Sequence, residues 1–155
     1  MKLVAIKIRS DVKAPKEVKD TLYLLRLRKK HVCVVLDDNP SIRGMLEKVK
    51  YYIAYGEIDK DVFKKLLLER GRLSGNRRFT EEYLKQNLNI NIDTFVEKFF
   101  NGELSLNSIP NLKPYFRLHP PRGGFPRKGI KRLYTEGGAL GYWGKDINNL
   151  ILSMI

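Results

Sequence analysis

The sequence predicts an α+β fold: a two-layer β-α-β-α-β sandwich followed by a helical and extended continuation. Lys2–Arg9, His31–Leu36 and Tyr51–Ile58 are short runs rich in β-branched and aromatic residues, which is the composition of strands. The two stretches between them repeat their apolar residues at helical spacing instead. Beyond residue 58 this alternation stops, and from Asn107 the chain turns to proline, glycine and cations.

In the first strand, Leu3 and Ala5 alternate with Val4, Ile6 and Ile8, while Lys7 and Arg9 interleave, so one buried face is expected. Pro15 suits the first position of a helix, where its missing N–H is no loss. Val18, Leu22 and Leu25 then form an apolar stripe that Thr21 and Leu24 widen. The helix is expected to end near Arg26-Leu27-Arg28-Lys29-Lys30, where cations meet the negative end of its dipole. The run Val32-Cys33-Val34-Val35-Leu36 predicts a central strand buried on both sides. Asp37-Asp38-Asn39-Pro40 breaks it, and Asn39 before Pro40 signals a helix start. Ile42, Met45, Leu46 and Val49 face inward from that helix. In the third strand Gly56 marks a bulge or a close backbone approach.

Asp59 or Asp61 can cap a third helix, with Val62, Phe63, Leu66 and Leu67 inward and Gly71 as its stop. Arg70, Arg72, Arg77 and Arg78 flank the turn Ser74-Gly75-Asn76. Thr80, followed by Glu81 and Glu82, opens a short helix. Asp93 opens another, with Phe95, Val96, Phe99 and Phe100 as a core stripe and Gly102 as its stop. Asn107 onward reads as loop, and Asp146 caps a last helix carrying Ile147, Leu150, Ile151 and Met154.

Arg117 to Arg132, RLHPPRGGFPRKGIKR, holds Arg117, Arg122, Arg127, Lys128, Lys131 and Arg132 without one carboxylate. Three prolines and three glycines exclude a helix there. Leu118, Phe125 and Ile130 are too few to bury it as a core. An extended basic arm ordered by a polyanion is therefore expected. Gly123 and Gly124 allow close backbone approach, arginine forks two donors onto a phosphate, and Phe125 offers a face to a base. The cluster from Arg26 to Lys30 offers a second contact of the same kind.

The chain has 155 residues and a net charge of +13. Residues 1–58 carry 13 Lys and Arg against 7 Asp and Glu; residues 59–112 carry 9 against 8; residues 113–155 carry 8 against 2. Two basic ends around a near-neutral middle imply two regions facing nucleic acid. Cys33 is the only cysteine and reads as a small buried hydrophobe in a reducing compartment. Lys7 and Arg9 interrupt the first apolar run, so no signal peptide is expected, and no stretch approaches a membrane span. His31, His119 and Cys33 make neither a metal-ligand spacing nor a catalytic dyad, and the glycines match no phosphate-binding turn. Catalysis, a cofactor, a metal and a small-molecule substrate are not expected. A free-standing protein that binds or modifies nucleic acid is the alternative to a structural role, and a membrane-surface protein is disfavoured because proline and glycine break the basic arm.

Several stretches in order resemble one family. They are IRS at Ile8 to Ser10, TLYLLRL at Thr21 to Leu27, SIRGMLEKVKYYIAYG at Ser41 to Gly56 and ERGRLSGNRR at Glu69 to Arg78. PPRGG at Pro120 to Gly124, EGG at Glu136 to Gly138 and DINNLI from Asp146 follow. Together they resemble the large-subunit ribosomal protein L-thirty family in its longer archaeal and eukaryotic form. Without a long basic N-terminal extension, the chain looks archaeal. The resemblance implies a ferredoxin-like, three-stranded sheet with two helices on one face over residues 1–58. It implies an archaeal and eukaryotic extension over 59–155, with a helical segment and the RNA-binding arm. It also implies a structural role on the cytoplasmic ribosome, holding large-subunit ribosomal RNA, with contact to 5S RNA and to neighbouring ribosomal proteins. The matching positions Arg9, Arg26, Arg28, Arg43, Lys48, Lys50, Arg70 and Arg72 become candidate phosphate contacts. So do Arg122, Gly123, Gly124, Phe125, Arg127 and Lys128 in the arm, which carries the stronger expectation.

Overall fold

The computed structural model describes residues 2–155. Its elements are β1 (Lys2–Lys7), α1 (Lys16–Leu24), β2 (Val32–Asp37), α2 (Pro40–Lys48), β3 (Ile53–Glu57) and α3 (Lys60–Arg70). There follow β4 (Arg72–Leu73), β5 (Arg77–Arg78), α4 (Glu81–Leu88), α5 (Ile92–Phe100), β6 (Phe116–Arg117), β7 (Gly141–Gly144) and α6 (Ile147–Met154). The expected β-α-β-α-β order is present, but the sheet is larger than the three strands the resemblance implied. It has five, in the order β6-β2-β1-β3-β7, and β4 pairs with β5 in a separate hairpin. β1 runs antiparallel to both β2 and β3, so α2 alone joins two parallel strands, by stepping over β1. β7 lies parallel to β3, which makes the sheet mixed.

The two helices of residues 1–58, α1 and α2, share one face as expected, and helices of the continuation cover the other. On the first face Leu3, Ala5, Val34, Ile53 and Tyr55 pack with Leu22 and Leu25 near α1 and with Leu46 and Val49 near α2. On the second, Val4, Ile6, Cys33 and Ala54 pack with Phe63, Leu66 and Leu67 of α3, Phe95 and Phe99 of α5, and Ile147 and Ile151 of α6. The alternation in β1 therefore feeds two cores and not one core and solvent. β1 is buried along its whole length, while β2 is half-exposed at Val35 and Leu36, because β6 pairs only with Val32 and Cys33. Centrality belongs to β1, and the continuous apolar run of β2 reflects cover at its first half only. Cys33 is fully buried, which pushes its thiol far up from its ordinary value and leaves it unreactive.

The helix ends show which local signals the fold uses. Asn39 accepts from the Ile42 N–H at 2.8 Å, and Thr80 accepts from the Tyr83 N–H at 3.2 Å. α5 is capped by Asn91, which accepts from the Thr94 N–H at 2.8 Å, and not by Asp93. Asp59 stands at the start of α3 without a side-chain cap, and Asp146 accepts from the Tyr134 hydroxyl at 2.6 Å instead of capping α6. Gly71 ends α3 in an extended conformation. A Cβ there would lie 2.4 Å from the Leu67 carbonyl oxygen, so space and not a left-handed turn requires the glycine.

Gly56 is both a register shift and a close approach. The pairing of β3 with β7 shifts between Tyr55 and Gly56, and a Cβ on Gly56 would sit 2.1 Å from the Gly144 carbonyl oxygen. Gly56→Ala is expected to destabilise the fold by about 2–3 kcal/mol, the upper part of the overpacking range, because backbone cannot give way. Thermal unfolding followed by circular dichroism should show a drop of about 4–12 °C.

Candidate nucleic-acid interface

The short strand β6 brings together two basic segments that lie almost ninety residues apart in sequence. Arg117 pairs with Val32 and Phe116 with Cys33, and the Leu118 N–H donates to the His31 carbonyl at 3.0 Å. Arg117 thereby comes to the loop that follows α1. Leu25 and Leu27 of that loop are buried, so Arg26, Arg28 and Lys29 turn outward and are exposed. Arg26, Arg28, Lys29, Val32, Tyr115 and Arg117 line a cleft of about 250 Å³. Among the described residues no carboxylate lines it. The Arg28 guanidinium lies over the Tyr23 ring, 4.4 Å from its centroid.

A buried lysine sets this loop. Lys7 is 2% exposed, and its ammonium donates to the Arg28 carbonyl at 3.2 Å and to Asp11 at 3.0 Å. The His31 N–H returns to the Lys7 carbonyl at 2.8 Å. With one buried face expected for the first strand, Lys7 belongs by alternation to the opposite face, yet it is buried. Partial burial pushes the Asp11 carboxyl up, but the Lys7 hydrogen bond and charge outweigh it, so Asp11 is held below its ordinary value. That pair contributes stability above the ordinary carboxylate range, and the contribution is lost as pH falls through the lowered Asp11 value. Lys7→Met is expected to cost about 2 kcal/mol, the scale of leaving a carbonyl and a carboxylate without their donor. Denaturant unfolding between neutral and acid pH checks it, and the variant should lack the Asp11-dependent loss.

The arm is tied to its own chain more closely than its composition suggested. Leu118 is buried, the His119 N–H donates to the Met154 carbonyl at 3.1 Å, and the Arg122 N–H donates to the Ser153 carbonyl at 2.9 Å. Phe125 stacks on His31 with ring centroids 6.3 Å apart, so one face of Phe125 is already taken. Farther on, the Lys128 N–H donates to the Gly137 carbonyl at 3.2 Å, and the Ala139 N–H to the Gly129 carbonyl at 3.0 Å. Backbone hydrogen bonds, which composition does not announce, supply part of the ordering. Gly123 and Gly124 turn the arm with φ of 80° and 81° and nothing within 4 Å of a Cβ, which leaves their backbone open. Arg122, Arg127, Lys128, Lys131 and Arg132 are exposed, and among the described residues none of them, nor Arg117, is in an ion pair.

Several other candidates are occupied within the protein. Arg43 forks onto Asp38 at 2.6 and 2.9 Å and lies 3.7 Å from Glu57, and the Asp38 hydrogen bond holds its guanidinium above its ordinary value. Lys50 pairs with Glu47 at 2.8 Å, Lys48 with Glu17 at 3.7 Å and Arg78 with Glu69 at 3.5 Å. Arg72 donates to the Gly71 and Glu69 carbonyls at 2.9 and 3.3 Å, and Arg77 to the Ser74 carbonyl at 3.4 Å. Arg9 reaches the Tyr51 carbonyl at 3.5 Å and lies over the Tyr52 ring. Arg70 ends α3, half-buried. The structure adds Tyr115 to the candidates and brings Lys29, already part of the Arg26 to Lys30 cluster, into the cleft. Tyr115 precedes Arg117 by two residues, and that spacing on an extended segment puts both on one face, a signal available in the sequence.

Among the described residues no His, Cys, Asp and Glu cluster could hold a metal ion, and no helix is long and apolar enough to cross a membrane. The family model described as Ribosomal protein L30p/L7e matches residues 3–53, from β1 to the start of β3. Curated relatives extend the likeness over the continuation. The chain is 45% identical to the large ribosomal subunit protein uL30 of Methanopyrus kandleri over 149 residues, 96% of this chain and 100% of the relative. It is 44% identical to that of Methanococcus vannielii over 155 residues, all of both chains. It is 47% identical to that of Archaeoglobus fulgidus over 150 residues, 96% of this chain and 97% of the relative. With such identity sustained from β1 through α6, this chain belongs to the L30p/L7e family of ribosomal proteins.

Proposed function

We propose that this chain is a structural, non-catalytic constituent of the large subunit of the cytoplasmic ribosome. In this reading it holds large-subunit ribosomal RNA, touches 5S RNA as well, and lies beside other large-subunit proteins. The observation that carries the reading is the cleft where Arg26, Arg28, Lys29 and Arg117 converge, with no acid in its lining among the described residues. Four cations in one lining repel one another unless an anion lies between them. The arm adds Arg122, Arg127, Lys128, Lys131 and Arg132, all exposed. Cations already paired with carboxylates, Arg43, Lys48, Lys50 and Arg78, rank below these, because an RNA phosphate must displace an existing partner there. Residues 1–58 act as the core that presents the loop, and residues 59–155 as the extension that brings the arm to it.

Recognition runs through phosphates and shape, since the deep major groove of A-form RNA excludes side chains. Six phosphates neutralised by the arm correspond to a log–log salt slope of roughly −4 to −5, and the three further cations of the cleft steepen it by about 2–3. Filter binding of the full chain to large-subunit RNA between two salt concentrations tests this. A flat salt dependence would contradict it. Deleting residues 117–132 is a poor version of the test, because it removes buried Leu118 and the pairing with β2. Neutralising the charges leaves both in place.

A further inference from the structure

We propose that the cleft between the Arg26–Lys29 loop and β6 receives one unstacked nucleotide of the bound RNA. Its base lies against Tyr115 and Val32, and its flanking phosphates lie on Arg26, Arg28, Lys29 and Arg117. The proposal rests on the RNA-binding reading and adds the form of the ligand.

Phosphate contacts alone need only an exposed basic surface, as the arm provides. Here the cations rim a concave space with an apolar floor. Its volume of about 250 Å³ suits a single base. It falls below the roughly 300–1,000 Å³ of sites for larger organic ligands. Val32 is 4% exposed, and Tyr115 is half-buried against the core of the first face, so the ring is held in place. Among the described residues the Tyr115 hydroxyl has no hydrogen-bond partner, which frees it for a base edge. An aromatic ring held at the side of a cationic cleft is the arrangement on which splayed-out bases stack.

The backbone points to the same cleft. Arg26 has φ of 65°, in the left-handed region, at the position after the helix C-cap where glycine is usual. The chain keeps a strained arginine there, at the rim of the cavity, and strain of this kind collects at ligand sites. The Lys7 hydrogen bond to the Arg28 carbonyl then fixes the next turn of the loop.

The test uses the full chain and two synthetic RNA hairpins. One carries a single unpaired 2-aminopurine nucleotide, and the other is the same helix fully paired. Binding is measured by filter retention at two salt concentrations, and stacking by quenching of the 2-aminopurine fluorescence. The wild-type chain is expected to bind the bulged hairpin about tenfold tighter and to quench its fluorescence, about the scale of one base–aromatic stack. Tyr115→Ala is expected to remove the preference and the quenching while keeping the salt slope, and Tyr115→Phe to keep most of both. Tyr115→Leu preserves apolar packing without stacking and decides the matter if the alanine variant does not fold. Equal, salt-dependent binding of both hairpins overturns the nucleotide cleft and leaves the RNA reading standing. Salt-independent or absent binding of both hairpins and of large-subunit RNA overturns the two together.

Discussion

Replacing Arg26, Arg28, Lys29 and Arg117 together with glutamine is expected to weaken binding to large-subunit RNA by about 10²–10³ at roughly 150 mM salt. Each phosphate contact contributes about 0.7–0.9 to the log–log salt slope, so losing four flattens it by about 3–4. Extrapolated from 1 M salt, that change accounts for the two to three orders of magnitude. All four side chains are exposed, and among the described residues none is in an ion pair, so their removal leaves no buried carboxylate alone. The melting temperature should therefore hold, or rise slightly as the repulsion is relieved. As a control, Arg43→Gln should move the slope little, because Asp38 and Glu57 already hold that charge. Salt titration of the wild type and the two variants by filter binding checks these expectations.

Phe63→Ala is expected to do the opposite: a loss of about 3–5 kcal/mol in stability with the salt slope unchanged. Phe63 is fully buried and stacks on Phe99 with centroids 4.5 Å apart and planes 3° from parallel, while Phe100 meets its edge at 5.7 Å. That aromatic group joins α3 to α5 behind the sheet, and no cation of the cleft takes part in it. Truncating the ring removes transfer energy and leaves a cavity between two helices. Urea unfolding, with the midpoint compared at constant m-value, measures the loss.

The first half of the fold was legible because its signals are local. Leu3 and Ala5 against Val4, Ile6 and Ile8 fix a strand, and Asn39-Pro40 fixes a helix start without help from distant residues. Strands β6 and β7 were not legible. Phe116–Arg117 is two residues long, and Gly141–Gly144 offers two side chains between glycines. Each exists only because a distant edge, β2 or β3, accepts its hydrogen bonds. The size of the sheet and the cover on its second face went with them, since β7 leads directly into α6. The site was legible as charge and not as geometry. Sequence placed Arg26 and Arg28 in one basic cluster and Arg117 in another; only the pairing of β2 with β6 makes them one cleft. Sequence likewise could not tell Arg43 from Arg26, because the difference lies in Asp38 and Glu57 folding back on the first and nothing folding back on the second. Lys7 looked like an outward charge because alternation assumes that one face of a strand meets water, and β1 has no such face.

Sedimentation of a cell extract through a sucrose gradient tests the assignment most directly. The chain should travel with the large ribosomal subunit at low salt. It should leave the particle as salt rises, and the variant with four glutamines should leave at a lower salt concentration than the wild type. Recovery of the wild-type chain at the top of the gradient at low salt, with the subunits intact farther down, would contradict the account.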